Sequence, residues 1–317
     1  MALDEELVTV VVPSFNHAQY VQTCLQSILS QDYPSIELIV VDDGSTDGSR
    51  ALLTELAERH GFRLILQANA GIAATLNRGV REGRGEYVAL CASDDFWLPG
   101  KLGTQVRYLR EHREVAGCSG NVVRVDETGN PLPGQRPVEP RRHTFQDFLL
   151  SKYYFPAPAV MLRRSAFEEV GGFDARFKME DWPMWLKLTA RGFYLDLLPE
   201  SLVAYRVHSM NAHKRVRAMV EDRFAVIEQY ANSEFYDSAI DELVVRAFFE
   251  LASTEKRAAV RYALPALRAA PRDWRTWLAF ARLALSEPHA EALTRSFEWM
   301  VRATAAWRNN SRSRGGL

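Results

Sequence analysis

The chain has 317 residues, 47% hydrophobic and 25% charged, which is enough for one large core and a smaller second module. Its 39 basic and 40 acidic residues leave a formal net charge of -1, which excludes a global electrostatic footprint for nucleic acid, so no nucleic-acid partner is expected. Three scattered cysteines exclude a disulfide framework or zinc spacing, and the acidic start and lack of an apolar run of about 18 residues predict a cytoplasmic protein.

Short β-branched runs at 7–12, 36–41, 62–67 and 86–91 read as strands. Between them, residues 20–30, 47–59 and 71–82 have apolar spacing near 3.6, with Ser45 or Thr46 placed to cap the second helix. This alternation predicts βαβ units on a mostly parallel sheet. The Pro- and Gly-rich stretch 130–142 reads as a surface loop. Beyond it, 159–162 reads as a strand, 181–191 as an amphipathic helix, and 193–198 and 203–207 as two short strands. The expected first domain is 1–217. From 218 to 317 strand signals vanish, and helical runs around 220–230, 238–252, 257–269, 274–285 and 290–307 predict a helical module. Its helix, Pro-turn, helix rhythm is that of a solenoid unit, without a measurable period.

Two acidic pairs follow two strands: Asp42 and Asp43 in IVVDDGSTDGS, and Asp94 and Asp95 in YVALCASDDFWLP. In open α/β sheets ligands bind beyond the carboxyl ends of the strands, so two pairs at equivalent positions predict one site, although acids and glycine also make ordinary turns and caps. Neither GxGxxG nor a P-loop follows the first strand, where the text is Pro13-Ser14-Phe15-Asn16-His17. Without a glycine cradle, a divalent cation held by carboxylates, Mg²⁺ or Mn²⁺, is the physical substitute for binding phosphates, and Asp94 and Asp95 are its candidate ligands.

A third acidic pair, Glu180 and Asp181, opens a helix beside Trp182 and Trp185. Capping explains one acid; an indole wall that desolvates a carboxylate and stacks on a sugar would equip the other as a base. After the last strand come His208, His213, Lys214 and Arg215. A solvated basic loop accounts for them, but His208 can also complete a metal's ligands, and Lys214 and Arg215 can neutralise a departing diphosphate.

The ordered segments VVPSFN, LQSILSQDYPSIELIVVDDGSTDGS, NAGIAATLNRGV, YVALCASDDFWLPGKL, MEDWPMWLKL and YRVH resemble the family 2 glycosyltransferases over residues 7–215. That resemblance implies a GT-A fold, an α/β mixed sheet flanked by helices, with a nucleotide-binding half at about 1–125 and an acceptor half at about 126–217. It also implies inverting transfer of a sugar from a nucleotide-sugar donor, most commonly a UDP-sugar, to a glycan or lipid-linked acceptor in bacterial surface polysaccharide synthesis.

Carried over by motif, the resemblance places Pro13, Ser14 and Asn16 beside the nucleoside, with Asp43 or Asp42 accepting hydrogen bonds from base or ribose. Asn69, Gly71 and Arg78 lie in the segment that passes the nucleoside and diphosphate. The family's Asp-x-Asp-Asp metal motif corresponds to Ala92, Ser93, Asp94 and Asp95, so the first acid is missing and its ribose contact falls to Ser93 or is lost. Asp94, Asp95 and His208 are then the implied ligands of Mn²⁺ or Mg²⁺. Asp181, in the Glu180-Asp181 pair, is the implied base, with Trp182 near the acceptor.

A nucleotidyltransferase would need a glycine- and basic-rich loop after the first strand, which is absent. A silent nucleotide-sugar-binding scaffold draws support from Ala92, while Asp181 and His208 argue for an enzyme. The last segment, with Arg302, Arg308, Arg312, Arg314, Trp299 and Trp307 and no acid after Glu298, suits an anionic membrane surface or a packed helix with a basic tail. The helical module is a candidate surface for self-association.

Overall fold

The computed structural model describes residues 6–135, 137–208, 216–285 and 289. Its contacts divide the chain into two units, Met1–Ala212 and His213–Leu317. Lys214 and Arg215, and the expected helix and basic tail from 290 onward, lie outside the described residues.

The first unit opens with β1 (Val8–Ser14), α1 (Val21–Leu29), β2 (Ile36–Asp42), α2 (Ser49–His60), β3 (Arg63–Leu66), α3 (Ile72–Glu82) and β4 (Tyr87–Leu90). β1 lies between β2 and β4, and β2 pairs with β3, all in parallel. Helices cover both faces of such a sheet, so its central strands are apolar on both sides. Accordingly Val8, Val10 and Val12 pack with Val21, Leu25 and Ile28 on one side, while Ile39, Val41 and Ile65 form a cluster of their own.

After β5 (Phe96–Trp97) come α4 (Lys101–Glu111) and the long β6 (Val115–Val125), neither of which the hydrophobic pattern had singled out. They precede β7 (Arg141–His143), α5 (Phe145–Leu149), β8 (Met161–Arg163), α6 (Arg164–Glu169), α7 (Asp181–Ala190) and β9 (Tyr194–Arg206). The sheet runs β3-β2-β1-β4-β8-β6-β9-β5, with β7 paired to β9. β8 runs antiparallel to both β4 and β6, so the sheet is mixed.

Several local expectations change. The two short strands expected at 193–207 are one strand, whose pairing with β6 absorbs the Pro199-Glu200 interruption as register shifts around Asn121. The end of the expected 130–142 loop is β7, which pairs on β9. Neither Ser45 nor Thr46 caps α2: Asp47 Oδ1 accepts from Ser49 N at 3.0 Å, and Ser45 Oγ turns instead to Asn16 N. The strand expected at 159–162 begins at Met161, after a short 3-10 turn at Ala157–Ala159.

The second unit contains α8 (Val216–Glu228), α9 (Tyr236–Thr254), α10 (Lys256–Ala269) and α11 (Trp274–Ala284). Phe248 and Leu251 pack against Ala259, Ala266 and Ala279, small residues that let neighbouring helices approach α9 closely. Arg275 grips Glu242 through both guanidinium nitrogens, at 2.5 and 2.7 Å.

Candidate active site

Two loops leave the carboxyl ends of β1 and β2 and are tied together. Asn16 sits at φ 57, in the left-handed region that asparagine tolerates better than most residues. Three consecutive amides then point at the β2–α2 loop: Asn16 N donates to Ser45 Oγ at 2.9 Å, His17 N to Ser49 Oγ at 3.2 Å and Ala18 N to Asp47 Oδ2 at 2.9 Å. Asn16 Oδ1 accepts from Thr46 N in return.

Asp42 and Asp43 end up in different roles. Asp42 is fully buried; its Oδ1 accepts from Ser45 N, and its Oδ2 has no partner. Asp43 Oδ1 accepts from Ala70 N at 2.8 Å and Gln67 Nε2 at 2.7 Å, and Oδ2 from Gly71 N at 3.0 Å. Arg78 donates to Gln67 Oε1 at 2.9 Å and Asn69 Nδ2 to the Asp43 carbonyl at 3.0 Å, so Asp43, Gln67, Asn69, Gly71 and Arg78 form one network. Of four lone-pair positions on the Asp43 carboxylate, three are thus occupied, leaving one on Oδ2. Gly44, at φ +83, lets the two loops approach: an added Cβ would stand 2.9 Å from Asn69 N. Pro13 is half-buried and Ser14 buried at the end of β1, and the Ser14 carbonyl accepts from Asp43 N at 2.8 Å.

The second acidic pair follows β4. Asp94 Oδ2 lies 2.9 Å from His208 Nε2 and 3.8 Å from His17 Nε2. His17 Nδ1 lies 2.8 Å from the buried Ser93 Oγ. Burial lowers the His17 pKa from its ordinary value, against the opposing pull of Asp94. Tyr20 packs on His208 with ring centroids 5.1 Å apart. Asp95 points elsewhere: its Oδ1 accepts from Arg206 N at 2.8 Å, while Oδ2 is buried without a partner. Burial, then the neighbouring Asp94 charge, raises the Asp95 pKa well above the usual carboxylate range. Arg206, at the end of β9, holds this turn through Nε to the Asp94 carbonyl at 2.9 Å and Nη1 to the Glu127 carbonyl at 2.6 Å. Arg206 and His17 had not been singled out from sequence. Their positions beside named motif residues, Arg206 as the last residue of β9 and His17 in the loop after β1, are the available signal.

A hard divalent cation fits these donors. Asp94 and His208 already share one position through a hydrogen bond, which a cation can occupy in place of the proton.

At the start of α7, Asp181 Oδ1 accepts from Trp182 N at 2.6 Å, and Glu180 caps no backbone group through its side chain. Burial, reinforced by Asp181, pushes the Glu180 pKa up to about 8. Trp182 Nε1 donates to the Phe148 carbonyl at 2.9 Å, which fixes its half-buried ring against α5. Trp185 is 2% exposed and packs edge-on to Phe155, so it belongs to the core and corrects the expected double indole wall. Protein crowding around its hydroxyl raises the Tyr154 pKa although the residue is 57% exposed, and the charges of Asp181 and Asp95 add to the rise.

Residues 9–171 match the family model described as Glycosyl transferase family 2. The chain belongs to this family. Among curated relatives, the Bacillus subtilis glycosyltransferase TuaG, named for teichuronic acid biosynthesis, is 30% identical over 212 residues, 66% of this chain and 82% of TuaG. An uncharacterized Mycobacterium tuberculosis protein is 33% identical over 208 residues, and the match spans 63% of this chain but only 59% of that relative. Among solved structures, S. aureus TarS 1–349 in complex with UDP-GlcNAc has a TM-score of 0.64 at 16% identity, covering 92% of each chain. The Pyrobaculum calidifontis mannosyltransferase PcManGT in complex with GDP-Man and Mn²⁺ has a TM-score of 0.58 at 22% identity, covering 95% of this chain and 86% of that one. These likenesses give the chain the GT-A fold, with its mixed sheet, flanking helices and C-terminal helical region. No described helix is long and apolar enough to cross a membrane.

Proposed function

We propose that this family 2 chain is an inverting glycosyltransferase that moves a sugar from a nucleotide-sugar donor, a UDP-sugar in the favoured case, to an acceptor hydroxyl in cell-surface polysaccharide or glycolipid synthesis. The observation that carries the reading is the approach of Asp94 to His208 beyond the carboxyl ends of the sheet, beside the Asp43 network. The likeness to TuaG supports a polysaccharide pathway, and the likenesses to TarS and PcManGT support nucleotide-sugar donors.

In this reading the loop from Pro13 to Asn16, the remaining Asp43 lone pair and the Asn69–Gly71 segment receive the nucleoside, and Ser93 takes the ribose side. Arg78, held by Gln67, faces the anionic part of the donor. Asp94 and His208 would hold Mn²⁺ or Mg²⁺, which when bound supplies Lewis-acid stabilisation of the departing diphosphate. Asp181 accepts the proton of the acceptor hydroxyl; the oxygen forms the new bond to the anomeric carbon from the face opposite the nucleoside diphosphate, which leaves with the bonding electrons. Configuration inverts. Glu180, protonated at neutral pH because its pKa is near 8, spares Asp181 an adjacent negative charge. Trp182 offers its anchored ring to the acceptor.

Ala92, in place of the family's first metal-motif acid, favours a second reading, a nucleotide-sugar-binding scaffold without turnover. Calorimetric titration of UDP, GDP, dTDP and CDP with and without Mn²⁺, repeated on Asp94→Ala, separates the cases. Metal-dependent binding of one nucleotide, lost in the variant, together with sugar transfer supports the enzyme. Binding without transfer across acceptors favours the scaffold, and absence of binding by all four rejects the nucleotide-sugar reading.

A further inference from the structure

We infer that His17 is a third protein ligand of the cation site, which makes this a two-imidazole, one-carboxylate centre that compensates for the acid replaced by Ala92. The inference rests on the metal-dependent reading above. His17, Asp94 and His208 each offer a donor atom, and these atoms lie within 4.8 Å of one another. Ligands about 2.1 Å from a cation stand about 3.0 Å apart when adjacent and about 4.2 Å apart when opposite. The 2.9 Å from His208 Nε2 to Asp94 Oδ2 and the 3.8 Å from His17 Nε2 to the same oxygen fall within or at the edge of this span.

The ring is also prepared for the task. With the proton on Nδ1, His17 donates to Ser93 Oγ at 2.8 Å, leaving the Nε2 lone pair facing Asp94. Metal-bound histidines typically donate through their other ring nitrogen in this way, which sets tautomer and ring orientation. The backbone is fixed on both sides of His17 by the bonds of Asn16, His17 and Ala18 to Ser45, Ser49 and Asp47, so the imidazole sits on a rigid support. The His17 and His208 rings meet edge-to-face, with centroids 5.8 Å apart, as two ligands converging on one point would.

The chemistry differs from that of a carboxylate-only motif. Imidazole suits first-row transition ions, whereas Mg²⁺ prefers oxygen ligands and retains water. Replacing one acid by His17 therefore moves the site away from Mg²⁺ and toward later first-row ions such as Co²⁺, with Mn²⁺ between them.

The test is pulsed EPR of Mn²⁺ bound to the full chain, alone and with UDP or GDP, with affinity from the free-Mn²⁺ signal. The expected result is coupling to two imidazole nitrogens in the wild type and one in His17→Gln, with Mn²⁺ affinity at least about tenfold weaker in the variant and Mg²⁺ affinity changed less. Ser93→Ala keeps both couplings while weakening Mn²⁺ by about tenfold. A single imidazole in the wild type overturns the inference even if His17→Gln does not fold. So does unchanged Mn²⁺ affinity in a folded His17→Gln; if Asp94→Ala still abolishes binding, the metal-dependent reading survives. No Mn²⁺ bound to the wild type under any condition rejects both.

Discussion

His208 Nε2 lies 2.9 Å from Asp94 Oδ2, joining residues 114 positions apart at the mouth of the sheet. In the proposed enzyme, Asp94→Asn keeps the shape but removes the charge that holds the cation. Mn²⁺-dependent nucleotide affinity should fall at least about 100-fold, a loss of about 2.7 kcal/mol by affinity arithmetic, measured by calorimetry. Mn²⁺-dependent binding of equal strength in variant and wild type would place the cation elsewhere.

In the proposed enzyme, Asp181 acts on the acceptor and not on the donor. Asp181→Asn should lower kcat by about 10²- to 10⁴-fold, the usual span for a general base, while donor affinity changes less than about threefold. Steady-state kinetics beside calorimetry distinguishes this from a binding role, which would raise Kd instead.

Glu180 makes stability depend on pH. Its folded pKa of about 8 lies above the ordinary 4.5, so between these values the folded state binds more protons than the unfolded one. Stability should therefore fall as pH rises from about 4.5 through about 8 and then level off. Glu180→Gln should flatten this slope and gain relative stability at pH 9, measured by urea unfolding across the range.

Arg206 braces the turn that carries Asp94 and Asp95. Its buried guanidinium serves the carbonyls of Asp94 and Glu127, each left without that donor in Arg206→Met. The loss should cost about 3 kcal/mol of unfolding free energy, since bonds involving a charged group contribute about 1.5–3 kcal/mol each and relaxation recovers part. A chemical denaturation midpoint equal to that of wild type would contradict this.

Asp43 organises the 67–71 segment, which in the proposed enzyme meets the nucleoside. In Asp43→Asn, an amide nitrogen replaces one acceptor facing the amides of Ala70 and Gly71, leaving a buried donor opposed to a donor. Nucleotide affinity should fall by about tenfold, and the 67–71 segment should become more open to limited proteolysis than in wild type.

Sequence by itself determined the alternation of β1 to β4 with α1 to α3, because apolar periods of 2 and 3.6 record which face each segment buries. It also placed Asp42 at the end of β2 and Asp94 shortly after β4, since acids and glycine mark where an apolar strand stops. α4 and β6 were less legible: Lys101 and Gln105 are buried through their mutual hydrogen bond, so the inner face of α4 carries polar residues. Only the tertiary structure decided that Asp42 and Asp95 turn inward while Asp43 and Asp94 take the loop-facing roles, and that Trp185 joins the core. It alone brought His17 to Ser93 across 76 residues and β9 back to set Arg206 and His208 against the β4 turn. Periodicity encodes burial along one segment, whereas the meeting of two side chains depends on strand order and on the exact course of the loops between them. Neither is written in the spacing of residues along the chain.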